Sequence, residues 1–352
     1  MRIRVVVAAL VLALPGFSAA GWAQLTPSAD APPVSNAPAL PTQKSVATFK
    51  VNVNLVDVFF TVRDKHGELV PHLTRTDCSI AEDGIPQKLK SFQAETDLPL
   101  TLGILLDTSG SQTNVLPLEQ QAGAEFLRDV LRPKDEAFLA SFDVNVDLLQ
   151  DFTSSPSLLA DAMNKAQINT AGGNGSGLPG LGGGPVPTIG DPKGTLLYDA
   201  IYQSATDKLS EQTGRKALII LTDGEDEGSM HKIGDAIAAA QRSNVMVYII
   251  LIADVQSYWN MGMGYSGYSA AKKIATETGG RLIDVGNNGR KLAAAFQEIE
   301  NELRSEYIAT YTPSDAKLDG TFRRINVNCG KDLRVQTRKG YFAPTPQTEQ
   351  SE

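Results

Sequence analysis

Cysteine is almost missing from this chain, histidine is scarce, and lysine and arginine never form a run. Cys78 and Cys329 are the only cysteines in 352 residues, and neither stands at metal-ligand spacing, so a zinc site built on thiolates is excluded. The three histidines are His66, His72 and His231; none lies in a motif that would make it the general base of a serine hydrolase. With 32 basic and 40 acidic residues the net charge is -8. Without a basic run to track a phosphate backbone, the chain offers nothing to nucleic acid. No apolar run reaches the roughly 20 residues that span a bilayer. Leu218 to Leu221 and Val245 to Ala253 have the length of buried strands, which argues against a stable transmembrane anchor.

What is present begins with Met1-Arg2-Ile3-Arg4, an apolar run from Val5 to Leu14, then Pro15 and small residues up to Ala23-Gln24. Charged, apolar and small in that order is the pattern of a cleaved signal peptide, here 1–23. The expected location is therefore periplasmic or secreted. Residues 24–47 are rich in Pro, Ala and Ser and have no apolar period, the composition of a disordered linker. In an oxidising compartment Cys78 and Cys329 are open to two readings, a disulfide or two buried free thiols.

From Phe49 the texture changes to β-branched and aromatic residues. Val51, Val53, Leu55, Val58 and Phe60 precede the turn signals Asp64-Lys65-His66-Gly67 and Glu82-Asp83-Gly84, so 48–97 reads as antiparallel strands. From Leu98 strands and helices alternate, which predicts a doubly wound, mostly parallel, Rossmann-like α/β sheet over 98–306. Its strands are Leu100 to Leu106, Glu136 to Phe142, Val146 to Phe152, Ala217 to Thr222, Val245 to Ile252 and Arg281 to Val285. Its helices are Val115 to Leu131, Pro156 to Ala166, Thr195 to Ser210, Ile233 to Arg242, Tyr268 to Thr278 and Leu292 to Arg304. Within it, 171–194 is a glycine-rich insertion that cannot pack a core; it lacks the lysine motif of a phosphate-binding loop. After Tyr307 strands return, up to 345, and 346–352 reads as a disordered tail. Neither β segment buries a good core alone. They are therefore expected to pair as one small β-sandwich-like domain into which the α/β domain is inserted.

Three oxygen-rich groups stand at element ends of the α/β portion. Asp107-Thr108-Ser109-Gly110-Ser111 closes the first strand; Thr222-Asp223-Gly224 closes a later one; Thr195 opens a predicted helix. Ligands in open α/β sheets bind outside the carboxyl ends of strands. Carboxylates with hydroxyls suit Mg²⁺ or Mn²⁺, with Ca²⁺ also compatible, rather than Zn²⁺. For Thr195 the plain alternative is an N-cap. The acidic neighbours Glu225, Asp226 and Glu227 read as a solvated face.

DxSxS at Asp107 to Ser111, Gly-Thr-x-Leu-Tyr-Asp-Ala at Gly194 to Ala200 and Thr-Asp-Gly at Thr222 to Gly224 together resemble the metal-ion-dependent adhesion site of von Willebrand factor A (VWA) domains. The resemblance covers about Leu98 to Glu306, with Ala271 to Gly280 fitting the family's late helix and turn. The flanking segments Asp64 to Gly67, Leu73 to Asp77, Glu82 to Gly84 and Arg338 to Tyr341 look like the exported VWA-related group of Acidobacteria. Cys78 stands where that group often has an aromatic residue, so the resemblance makes its pairing with Cys329 more expected. The likeness implies that Ser109, Ser111 and Thr195 bind the metal directly, with Asp107 and Asp223 acting wholly or partly through water. A sixth position would accept an Asp or Glu carboxylate from a protein partner.

The expected function is thus metal-bridged docking, for adhesion or envelope assembly, and not catalysis, because no general base is recognisable near the site. A metal-dependent hydrolase at the same site and a structural envelope component are the competing classes.

Overall fold

The alternation that starts at Leu98 folds as a single sheet flanked by two smaller ones. The computed structural model describes residues 55–94, 98–168, 194–253, 265–286 and 288–345. The expected signal peptide, linker and tail, and residues 171–193 of the glycine-rich insertion, lie outside the described residues.

Four strands come first: β1 (Val56–Arg63), β2 (Ser79–Glu82), β3 (Ile85–Gln87) and β4 (Leu89–Ala94). The α/β portion follows as β5 (Leu100–Asp107), α1 (Leu116–Val130), β6 (Glu136–Phe142), β7 (Val146–Thr153) and α2 (Pro156–Lys165). It continues as α3 (Leu197–Gln203), β8 (Arg215–Thr222), α4 (Ile233–Arg242), β9 (Val245–Leu251), α5 (Gly267–Thr278), β10 (Leu282–Asp284) and α6 (Gly289–Arg304). The last strands are β11 (Tyr307–Tyr311), β12 (Phe322–Asn328), β13 (Arg334–Thr337) and β14 (Gly340–Phe342).

The six-stranded sheet has the order β10-β9-β8-β5-β6-β7, parallel throughout except for β7, which pairs antiparallel with β6. Strands β5, β8 and β9 are buried along their whole length, which is why they read as continuous apolar runs and not as alternating ones. Residues of α1, α2 and α6 cover one face and residues of α3, α4 and α5 the other. The chain leaves β5 towards β6 and β7, then crosses back to lay β8, β9 and β10 on the opposite side. The topological switch point therefore falls between β5 and β8, where open α/β sheets form their ligand crevice.

Strands from before and after this portion share two four-stranded antiparallel sheets, β13-β1-β11-β4 and β14-β12-β2-β3. Val58, Phe60 and Val62 meet Ile80, Tyr307, Tyr311 and Ile325 in one core between the sheets. The outer face of the first sheet is also used, since Phe59 and Ile308 join the core beneath α1 and α6. Charged groups seal that junction. Glu302 of α6, fully buried, is ion-paired with Arg63 at 2.5 Å and Arg281 at 2.8 Å and accepts from Gln336 at 3.0 Å, so its charge is compensated from both parts. Asn288 caps α6 by accepting from the backbone N–H of Arg290 and Lys291, and the helix starts one turn earlier than the apolar stripe from Leu292 indicates.

Two further elements differ from the sequence reading. The helix expected from Thr195 to Ser210 starts at Leu197, because the backbone of Thr195 is engaged in a β-bridge to Glu227. It widens into a π-turn over Ser204–Lys208, where the Thr206 hydroxyl donates to the Tyr202 carbonyl and competes with the regular ladder. Strand β14 is not separable in sequence from the polar tail around it. Gly340 permits it, since a Cβ there would lie 2.2 Å from the Arg323 carbonyl oxygen on β12.

Cys78 and Cys329 are bonded. They stand one step beyond the Ser79 to Asn328 pair of the β2–β12 ladder, so the bond ties a strand from before the α/β portion to one from after it. Cys78→Ser is expected to lower unfolding free energy by about 2–5 kcal/mol in urea denaturation. The double variant with Cys329→Ser should lose the same amount; a loss below about 1 kcal/mol would mean that the apolar core alone joins the sheets.

Candidate metal centre

Asp107 ends β5 with its side chain fully buried. One carboxylate oxygen accepts the Ser109 backbone N–H at 3.0 Å and the other accepts the Thr222 hydroxyl at 2.6 Å. Ser109 is extended, and a 3₁₀ turn over Gly110–Gln112 then reverses the chain. The reversal sets the Ser111 hydroxyl 3.0 Å from that of Ser109. Ser111 is exposed while Ser109 is buried, so this oxygen group runs from the sheet edge to solvent.

Asp223 enters from the neighbouring strand. The β5–β8 register pairs Leu106 with Leu221, which brings Thr222 beside Asp107 and puts Asp223 just past the strand end. It is 2% exposed. Its loop is held from several sides. A carboxylate oxygen of Asp223 accepts the Glu225 N–H, and its carbonyl accepts the Tyr265 hydroxyl at 2.8 Å. Gly224 has φ +82°, and a Cβ there would lie 2.6 Å from the Gly267 carbonyl oxygen; only glycine allows that approach.

The acidic run that follows does more than solvate a surface. Glu225 accepts from the backbone N–H groups of Ser266 and Gly267 and from the Ser266 hydroxyl, capping the start of α5. Asp226 accepts the Tyr198 N–H at 2.9 Å and the Ser229 hydroxyl at 2.6 Å. Glu227 exchanges both backbone hydrogen bonds with Thr195, at 3.0 and 2.9 Å. Thr195 is thereby tied to the loop that carries Asp223, and it is 8% exposed. The N-cap of α3 is Leu196, without a side-chain capping bond, so the hydroxyl of Thr195 is not the helix cap. A second tie runs through Leu196, whose N–H donates to the Asp143 carbonyl at 2.9 Å, while the Asp143 carboxylate accepts the Thr108 hydroxyl at 2.8 Å. The three motif groups thus meet at one end of the sheet.

Electrostatics sharpen the picture. Burial, then the neighbouring charge of Asp223, push Asp107 up from 3.8 to about 7. Its hydrogen bonds come from neutral groups, which do not offset that cost. Glu119 on α1 is driven well above the usual carboxylate range, first by burial and then by the charges of Asp107 and Asp223. A divalent cation fits such a set, since it relieves the repulsion and takes hard oxygen donors. Among the described residues no three His, Cys, Asp or Glu side chains are grouped to hold a metal, so a cation here needs the hydroxyls of Ser109 and Ser111 as well. His231 is committed elsewhere: its Nδ1 lies 2.7 Å from the Asp199 carboxylate, and its ring stacks on Tyr202 with centroids 3.7 Å apart.

In the sequence Thr222 stood out only as part of the Thr-Asp-Gly motif, and Asp143 and Glu119 were passed over. The first two stand at strand ends just as Asp107 does. Glu119 occupies the apolar stripe of α1, between Leu116 and Phe126, a position where a carboxylate is out of place.

No protein-family model matches the sequence, and no curated protein is similar to it. Solved structures of similar fold include the conserved hypothetical protein BatB from Bacteroides thetaiotaomicron, 16% identical, with 58% of this chain and 100% of that one covered and a TM-score of 0.41. The VWA domain of SpRpn10 is 14% identical over 57% of this chain and 95% of its own, with a TM-score of 0.38. Proximal thread matrix protein 1 from the mussel byssus, with a zinc-occupied MIDAS motif, is 15% identical over 62% of this chain, with a TM-score of 0.44. This chain covers 49% of that protein's length.

Proposed function

We propose that Asp107, Ser109, Ser111, Thr195 and Asp223 hold a divalent cation, Mg²⁺ or Mn²⁺, and that the exported protein uses it to dock an Asp or Glu carboxylate of a protein partner. The observation that carries this reading is the buried Asp107–Asp223 pair at the switch point, next to two serine hydroxyls 3.0 Å apart that lead to solvent. The motif order resembles the adhesion site of VWA domains, which implies a coordination position open to a partner's carboxylate. Docking is favoured over hydrolysis because the one histidine of the α/β portion, His231, is spent on Asp199, and the carboxylate beside Ser109, Asp107, is assigned to holding the cation and not to taking a proton. Export rests on the N-terminal sequence. Among the described residues no helix is long and apolar enough to cross a membrane.

Immobilised protein incubated with an envelope extract in Mg²⁺ should retain a partner that EDTA elutes. Retention that is indifferent to EDTA would count against metal-bridged docking.

A further inference from the structure

Glu119 is the one acidic side chain on the buried stripe of α1, the helix that follows the Asp107–Ser111 motif. It is 0% exposed, and neither carboxylate oxygen has a hydrogen-bond partner. A glutamate in the first turn of a helix ordinarily gains about 0.3–1 kcal/mol from the helix dipole while remaining in water. Burial without a partner costs more than that gain, so the dipole does not account for its placement. Its surroundings point to the metal centre. The carboxylates whose fields reach Glu119 are Asp107 and Asp223. Gln112, beside the serines and 1% exposed, has its amide N–H on the Ser111 hydroxyl at 3.4 Å, and its amide oxygen is also without a partner.

We propose that Glu119 is the outer-sphere carboxylate of the centre, accepting hydrogen bonds from water on a cation held by Asp107, Ser109, Ser111, Thr195 and Asp223. This rests on the metal reading given above and adds a residue to it. An outer-sphere place follows from the grouping: no three acidic, histidine or cysteine side chains among the described residues are close enough to ligate one ion together, so Glu119 acts across a water and not as a direct ligand. Two jobs follow. Its charge, added to Asp107 and Asp223, strengthens the hold on a divalent ion, and its lone pairs fix the orientation of the bound water, as carboxylates behind first ligands do elsewhere.

A structural role and an outer-sphere role predict opposite results when the charge is removed. Glu119→Gln keeps the shape. Calorimetric titration of wild type and Glu119→Gln with Mg²⁺ and with Mn²⁺, paired with thermal melts of both proteins in EDTA, separates them. The expected result is affinity weaker by about 10-fold or more in the variant, with an EDTA melting temperature equal to or above that of wild type. Glu119→Met, which removes both charge and acceptors, should weaken affinity at least as far and guards against a rescue by the Gln amide oxygen. Unchanged affinity in both variants would overturn the assignment, and so would an EDTA melting temperature that drops while affinity holds. Wild type that binds neither ion would instead sink the metal reading itself, an outcome distinct from failure of Glu119 alone.

Discussion

In EDTA the protein is expected to lose thermal stability as the pH rises from about 4 to about 8, contrary to the usual behaviour of carboxylates in folded proteins. Three buried acids are responsible. Asp107 is pushed up from 3.8 to about 7 by burial and by Asp223. Glu306 is pushed up from 4.5 to about 8, because burial outweighs the help of Arg215 at 3.6 Å and Glu302 adds repulsion. Glu119 lies well above its ordinary value. Each holds its proton more tightly folded than unfolded. The native state therefore binds more protons across this range, and stability falls with rising pH, fully present below the unfolded values and lost as the pH passes through the folded ones. For Asp107 alone the effect is on the order of 4 kcal/mol. Excess Mg²⁺ near pH 8 should restore the part that belongs to Asp107 and leave that of Glu306, since Glu306 belongs to the junction of α6 with β8 and not to the proposed metal centre. Melting temperatures measured from about pH 4 to about pH 8, with EDTA and with Mg²⁺, test this; a profile in EDTA that rises with pH would mean that these carboxylates are charged and compensated in the fold.

The elements of the α/β sheet were legible because burial writes itself into composition. β5 and β8 are apolar runs with no alternation, and α6 carries a clean stripe at Leu292, Phe296, Ile299 and Leu303. The gathering of Asp107 with Ser109 and Ser111 was legible for a different reason: a strand end followed by a short polar turn leaves little freedom in where those oxygens go. What was not legible depended on contacts between distant segments. The start of α3 is set by the Thr195 bridge to Glu227, which no local propensity encodes. Glu225 looks like a surface charge until α5 is placed over it as a helix needing a cap. Glu119 was hidden by its own neighbourhood, since one acid in an apolar stripe reads as an imperfection of the pattern and not as a third carboxylate near two others. The partnership of Cys78 with Cys329 depended on the β2–β12 register, which sequence separation alone does not reveal.

The most direct test of the metal centre is calorimetric titration of wild type, Asp107→Ala and Asp223→Asn with Mg²⁺ and Mn²⁺. Each variant removes one of two buried like charges, so both are expected to remain folded in EDTA, as a thermal melt will verify. Wild type should bind one ion, and both variants should bind on the order of 100-fold more weakly or not at all. Equal binding by wild type and the two folded variants, or no binding by wild type, would contradict the assignment of Asp107 and Asp223 to a metal centre.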